Sequence, residues 1–151
     1  MPVKVCFAGN SHGGDDAIGP FLYQELKTDQ RLKGLQLWDA GVTGLDLLSQ
    51  VKRGDRLIIV DAVCARRDFG RAKVYKEREI ESLKPPVSAH DLGMAQTIKL
   101  LRLTYPSLAP IIVIGISIPM PSLQSGFSDS IRKRMPQLKK YVLRLILKYS
   151  S

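Results

Sequence analysis

Asp15 and Asp16 are adjacent carboxylates that close a glycine-rich loop, Gly9-Asn10-Ser11-His12-Gly13-Gly14, which follows the apolar run Val3 to Ala8. Glycines let such a loop bring its backbone close to a ligand and adopt positive φ where needed. The two carboxylates stand where a helix should begin, and the positive end of a helix dipole favours their ionised form. A phosphate cradle would want backbone N–H groups with a Lys or Arg, as in GxxxxGK[ST], and neither that motif nor GxGxxG is present. Paired negative charge repels phosphate and suits a cation or a proton-transfer role. The plainer alternative is that one of the two merely caps the helix.

Three further side chains join them as candidates. Asp39 lies in Trp38-Asp39-Ala40-Gly41, Asp61 follows the apolar run Leu57-Ile58-Ile59-Val60, and His90 lies in Ser88-Ala89-His90-Asp91. Singly, each has an ordinary structural role, since an Asp after a strand commonly caps a turn and a His at a helix start is usually structural. Together they matter more. The C-terminal ends of parallel strands share one edge, which is where open α/β sheets bind ligands. Carboxylates and an imidazole gathered there form an O,O,N set suited to a divalent ion such as nickel or zinc. The signatures of a covalent nucleophile, GxSxG, Ser-x-x-Lys or a well-placed Cys/His pair, are missing.

These residues need a scaffold that converges them, and the hydrophobic pattern supplies one. Apolar runs at Val3 to Ala8, Leu35 to Trp38, Arg56 to Val60 and Ile111 to Ile116 lack strict polar alternation, the mark of strands buried on both faces. Helical patterns lie between them. Ile18, Phe21, Leu22 and Leu26 share a side of a first helix starting near Asp16, and Pro20 is tolerable in its first turn. Gly44 to Val51 suits a short helix, and Arg71 to Lys76 an extra strand. Ser88-Ala89-His90-Asp91 opens a helix carrying Met94, Ile98, Leu101 and Tyr105, which puts His90 at a helix mouth. A final helix bears Ile131, Met135, Leu138, Val142, Leu145 and Tyr149 on one stripe. The expected fold is a three-layer α/β/α sandwich around a mostly parallel sheet, formed by residues 1–151 as one domain.

The chain of 151 residues carries 23 Lys and Arg against 14 Asp and Glu, a net charge of +9, which raises the question of a nucleic-acid partner. Much of that charge lies on the last helix opposite its apolar stripe, where a solvated face accounts for it, and no stacking pattern of aromatics accompanies it. No nucleic acid is therefore expected as partner. No apolar run reaches the roughly 18 residues of a membrane span and no signal-peptide pattern stands out, so no membrane partner and a cytoplasmic location are expected. Cys6 and Cys64, lying in or beside apolar runs without CxxC spacing, are expected as buried, reduced thiols.

The ordered motifs Gly9-Asn10, Asp15-Asp16-x-x-Gly19-Pro20, Asp39-Ala-Gly-x-Thr43-Gly44-Leu45, Ile59-Val60-Asp61-Ala62 and Ser88-Ala89-His90-Asp91-Leu92-Gly93 resemble those of the hydrogenase maturation endopeptidases. The resemblance continues through Gly115-Ile116-Ser117 and Gly126-Phe127-Ser128 into the helix with Met135-Pro136, and so covers nearly the whole chain. It implies that Asp16, Asp61 and His90 engage the nickel already inserted in a [NiFe]-hydrogenase large-subunit precursor, after which a C-terminal extension is removed. Nickel would then arrive with the substrate, Zn or Cd standing in for it in vitro. The loop here begins Phe-Ala-Gly-Asn where Gly-x-Gly-Asn is commoner, and Asp16 replaces a frequent Glu. Asp16, Asp39 and Asp61 all remain candidates for the general base, and direct attack by water is expected rather than an acyl-enzyme. Two other readings stay open: a self-contained metal-dependent hydrolase with its own ion, and a basic module that binds nucleic acid or an acidic protein patch.

Overall fold

The computed structural model describes residues 2–41, 45–82, 94–119 and 126–151. Strands β1 (Val3–Ala8), β2 (Gln36–Gly41), β3 (Arg56–Cys64), β4 (Ala72–Lys76) and β5 (Ile112–Ile118) form one sheet in the order β2-β1-β3-β5-β4. β1 pairs in parallel with both β2 and β3, and β3 in parallel with β5, while β4 runs antiparallel along the outer edge of β5. The seven central residues of β3 are all buried, six of them apolar and one Asp61, as in a strand covered on both faces.

Helices close the two faces. Helix α1 (Ile18–Leu26) and the long C-terminal α5 (Asp129–Ser150) cover one side, packing Ile18, Leu22, Leu26, Leu138 and Val142 against Val5, Phe7 and Val60. On the other side lie α2 (Leu45–Gln50), α3 (Glu77–Glu81) and α4 (Met94–Thr104), whose Ile80, Ile98 and Leu101 pack against Cys6, Ile59 and Val113. The architecture is the expected α/β/α sandwich around a mostly parallel sheet.

Three local differences from the sequence reading have physical causes. β3 runs on to Cys64 rather than stopping at Val60, because β5 keeps pairing with it from Asp61↔Gly115 to Cys64↔Ile118. Asp61 is thus inside a strand, not in the turn after one. Phe21 is only half-buried, since Ile18, Leu22 and Leu26 already fill the inward side of the nine-residue α1. The five-residue α3 is too short to show a period. Glu77 holds it, pairing with Arg102 of α4 and accepting the Ile111 N–H at 2.7 Å.

Among the described glycines, Gly9 and Gly19 of the β1–α1 connection have the least room for a side chain. A Cβ on Gly19 would stand 2.0 Å from the Ala8 carbonyl oxygen, and one on Gly9 2.3 Å from the Asp16 carbonyl oxygen. Both obstacles are backbone and cannot swing aside. The first turn of α1 is therefore pressed against the end of β1, and the 3-10 turn Gly14–Ala17 between them is drawn over the sheet edge. The opposite edge is closed by charge: Lys4 meets Asp55 at 2.8 Å, and the Arg56 guanidinium donates to the Tyr149 carbonyl of the last turn of α5 at 2.8 Å. None of the described helices is long and apolar enough to cross a membrane.

Replacing Gly19 by Ala is expected to cost about 2–3 kcal/mol, because overpacking against immovable backbone must displace α1. Urea unfolding measures it, and an unchanged midpoint would show that the joint is looser than the contact distances require.

Candidate active site at the switch point of the sheet

From β1 the chain moves outward to β2 on one side and then to β3 on the other, so the gap above the ends of β1 and β3 is the topological switch point, where doubly wound sheets bind ligands. The loop carrying Asp15 and Asp16 crosses that gap. Its shape is set by short-range hydrogen bonds: Gly13 N–H donates to the Asn10 carbonyl at 2.9 Å, Asp16 N–H to the Gly13 carbonyl at 3.1 Å, and His12 N–H to the Asn10 side-chain oxygen at 3.0 Å.

The two adjacent carboxylates part company here. Asp15 turns outward and its Oδ1 accepts the backbone N–H of Ser128 at 2.7 Å, tying the loop to the residue that precedes α5. The capping role expected of one of this pair thus belongs to Asp15, though for a helix 113 residues away and not its own. Asp16 turns inward. It is 2% exposed, and its Oδ2 accepts the Asn10 N–H at 3.0 Å.

Asp61 is buried to the same degree, 2% exposed, and its Oδ1 accepts the N–H of Ala62 at 2.7 Å. Along β3, Leu57, Ile59 and Val63 belong to the α4 side of the core, so the alternation of the strand directs Asp61 to that side as well. A third side chain reports on both carboxylates. Burial pushes the Cys64 thiol above its usual range, and the negative charges of Asp16 and then Asp61 push it further, so all three lie within one electrostatic neighbourhood. Cys6 is buried and Cys64 half-buried, and both are free thiols. The raised Cys64 thiol is the opposite of an activated nucleophile.

Asp39 is placed differently. Between Phe7↔Asp39 and Ala8↔Gly41 the register slips by one residue, so Ala40 forms a bulge, a device that re-aims side chains beside active sites. Asp39 is exposed, its Oδ1 accepts the Gly41 N–H at 2.9 Å, and it lines a groove of about 620 Å³ together with residues of the α1 side. Asp16 and Asp61 are therefore both buried, while Asp39 is exposed on the rim of the groove. His90 lies outside the described residues, four positions before Met94, where α4 begins on the face toward which Asp61 is directed. Among the described residues no three His, Cys, Asp or Glu side chains form a ligand group by themselves. The Asp15–Ser128 link and the nearness of Cys64 escaped the sequence reading, since neither leaves a local pattern.

The sequence and the fold have counterparts in known proteins. The profile of the hydrogenase maturation protease (HycI) family matches residues 20–145. The hydrogenase 2 maturation protease of Escherichia coli (strain K12) is 28% identical over 119 residues, which span 77% of this chain and 73% of that one. Among solved structures, the hydrogenase maturating endopeptidase HybD from E. coli matches with a TM-score of 0.76 at 23% identity, over 99% of this chain and 94% of that chain. The [NiFe] hydrogenase maturation protease HybD from Thermococcus kodakarensis matches with a TM-score of 0.75 at 26% identity, over 96% and 99%. The chain belongs to the hydrogenase maturation protease family and is, by that membership, an endopeptidase.

The electrostatic neighbourhood gives a pH test. Because the carboxylates disfavour the thiolate, neutralising either one lowers the Cys64 pKa, so Asp16→Asn and Asp61→Asn should each be alkylated by iodoacetamide faster than the parent at pH 8. Mass spectrometry of Cys64 labelling measures the rates. Equal rates in parent and variants would place the carboxylates too far from the thiol to act on it.

Proposed function

We propose that this chain is the endopeptidase that removes the C-terminal extension of a [NiFe]-hydrogenase large-subunit precursor once nickel has been inserted, with Asp16, Asp61 and His90 engaging that nickel. The observation that carries the proposal is the pair of carboxylates, Asp16 and Asp61, each 2% exposed and both felt by Cys64, at the switch point of the sheet. Both acids are buried at the edge where doubly wound sheets bind ligands, and carboxylate oxygens there suit a divalent cation. Oxygen donors with one imidazole suit nickel, and Zn or Cd as its substitutes. The free thiols suit a reducing compartment, and the reaction is assigned to the cytoplasm, carried out by residues 1–151 as one domain.

In this reading the metal belongs to the substrate. The precursor presents it to Asp16 and Asp61 from above the sheet edge, with His90 completing the set, and the scissile bond is thereby held beside Asp39. A water attacks the scissile carbonyl carbon and a carboxylate takes its proton. The C–N bond then breaks and the leaving amine receives a proton. Of the three acids, exposed Asp39 is the best placed to be the proton acceptor, leaving Asp16 and Asp61 to the metal. Because water attacks directly, neither thiol takes a covalent part.

Nickel-loaded precursor mixed with the purified chain should release a single C-terminal peptide, detected by mass spectrometry. Precursor from nickel-starved cells should be cut about 10²–10³ times more slowly, the effect of losing an anchor of roughly 3–4 kcal/mol. Equal cleavage of both would make this an ordinary peptidase. Variants divide the roles: Asp61→Ala and His90→Ala should weaken zinc binding by at least about 10- to 100-fold, whereas Asp39→Asn should bind zinc normally and lose turnover. Calorimetric titration with zinc that finds Asp61→Ala and His90→Ala unchanged would remove both from the metal site.

A further inference from the structure

On the proposed endopeptidase reading, the precursor's folded body, with its nickel, occupies the space above Asp16 and Asp61, and the extension must leave by another route. One groove begins at that point. Gly14 and Ala17 line it, two positions before and one after Asp16 in a 3-10 turn that rises only about 2 Å per residue. The buried carboxylate and the groove thus lie on two sides of a single turn. Its volume of about 620 Å³ falls within the usual range of ligand pockets, about 300–1,000 Å³.

The walls are of two kinds. Phe21 and Phe127, with ring centres 5.3 Å apart and planes at 81°, form an edge-to-face pair beside Pro20. Phe127 packs partly against the core, but Phe21 joins neither core cluster, so its ring is held at the groove rather than spent on the interior. Gln24, one turn on from Phe21 along α1, and Asp39 and His12 from the neighbouring segments are exposed residues that line it as well. The aromatic pair favours an apolar side chain, and the opening at 14–17 adjoins the place where this reading holds the scissile bond. We propose that this groove is the subsite for the residues that follow the scissile bond, and that it selects an apolar side chain there.

The test uses the full-length protein and nickel-loaded precursor, with KM and kcat measured separately. The peptide released by the parent protein is identified by mass, synthesised and used as an inhibitor. Phe21→Ala and Phe127→Ala should each raise KM and the inhibition constant of that peptide by about tenfold, the usual cost of removing apolar contact from a pocket, with kcat nearly constant. Gln24→Trp fills the groove from an exposed position without touching the core, and should raise both constants in a chain whose melting temperature is that of the parent. A precursor with Asp in place of the apolar residue after the cleavage point should also show a raised KM. If the parent cleaves while Phe127→Ala and Gln24→Trp keep parental KM and inhibition constants, the groove is not the subsite. If the parent releases no peptide from nickel-loaded precursor, the endopeptidase reading falls and the subsite with it.

Discussion

Where β1 meets α1, two stretches of backbone approach more closely than a methyl group would permit, and the placement of the candidate site depends on that contact. Gly19 lies against the Ala8 carbonyl and Gly9 against that of Asp16. With the helix held so near the strand end, the connecting turn has no room to bulge into solvent, and Asp16 is folded inward while Asp15 remains outside to bind Ser128. The same contact aligns the turn with the mouth between β1 and β3, where Asp61 arrives from the neighbouring strand. One steric constraint thus sets which of two chemically identical neighbours ties the loop to Ser128 and which is buried at the switch point.

Charge is distributed in keeping with that division. The protein as a whole is strongly basic, with a net charge of +9, yet its candidate site is made of acids. On α5 the positive face is partly neutralised locally, Lys139 by Glu25 at 3.7 Å and Arg132 by Asp129 at 3.2 Å, and these exposed pairs contribute little stability. At the switch point the situation reverses: Asp16 and Asp61 are withdrawn from water, where a charge interacts more strongly with whatever approaches it. A cation on an approaching protein would be held tightly there, and the basic exterior would draw an acidic surface at longer range.

The architecture was legible because buried parallel strands and amphipathic helices are written in local periodicities. The runs at Val3, Arg56 and Ile111 and the stripe from Ile131 to Leu145 all form the elements expected of them. The length of β3 was not, since it depends on pairing with β5, more than fifty residues further on. For the site, residue types and the shared edge pointed to Asp16, Asp39 and Asp61, but not to their separation into a buried pair and an exposed neighbour. That separation comes from the bulge at Ala40 and from the capping of α5 by Asp15, both long-range events. Phe21 shows the same limit: helical spacing placed it with Ile18 and Leu22, but only the packed structure reveals that Phe127 holds it at a groove.

The central claim is that Asp16 and Asp61, joined by His90, form one metal-binding constellation. Anomalous diffraction at the zinc edge from zinc-soaked crystals tests it most directly. The expected result is a single strong peak at the switch point, with an oxygen of Asp16, an oxygen of Asp61 and a nitrogen of His90 each about 2.0–2.2 Å away. A peak elsewhere on the molecule, or one at the switch point lacking any of these three ligands, would contradict it.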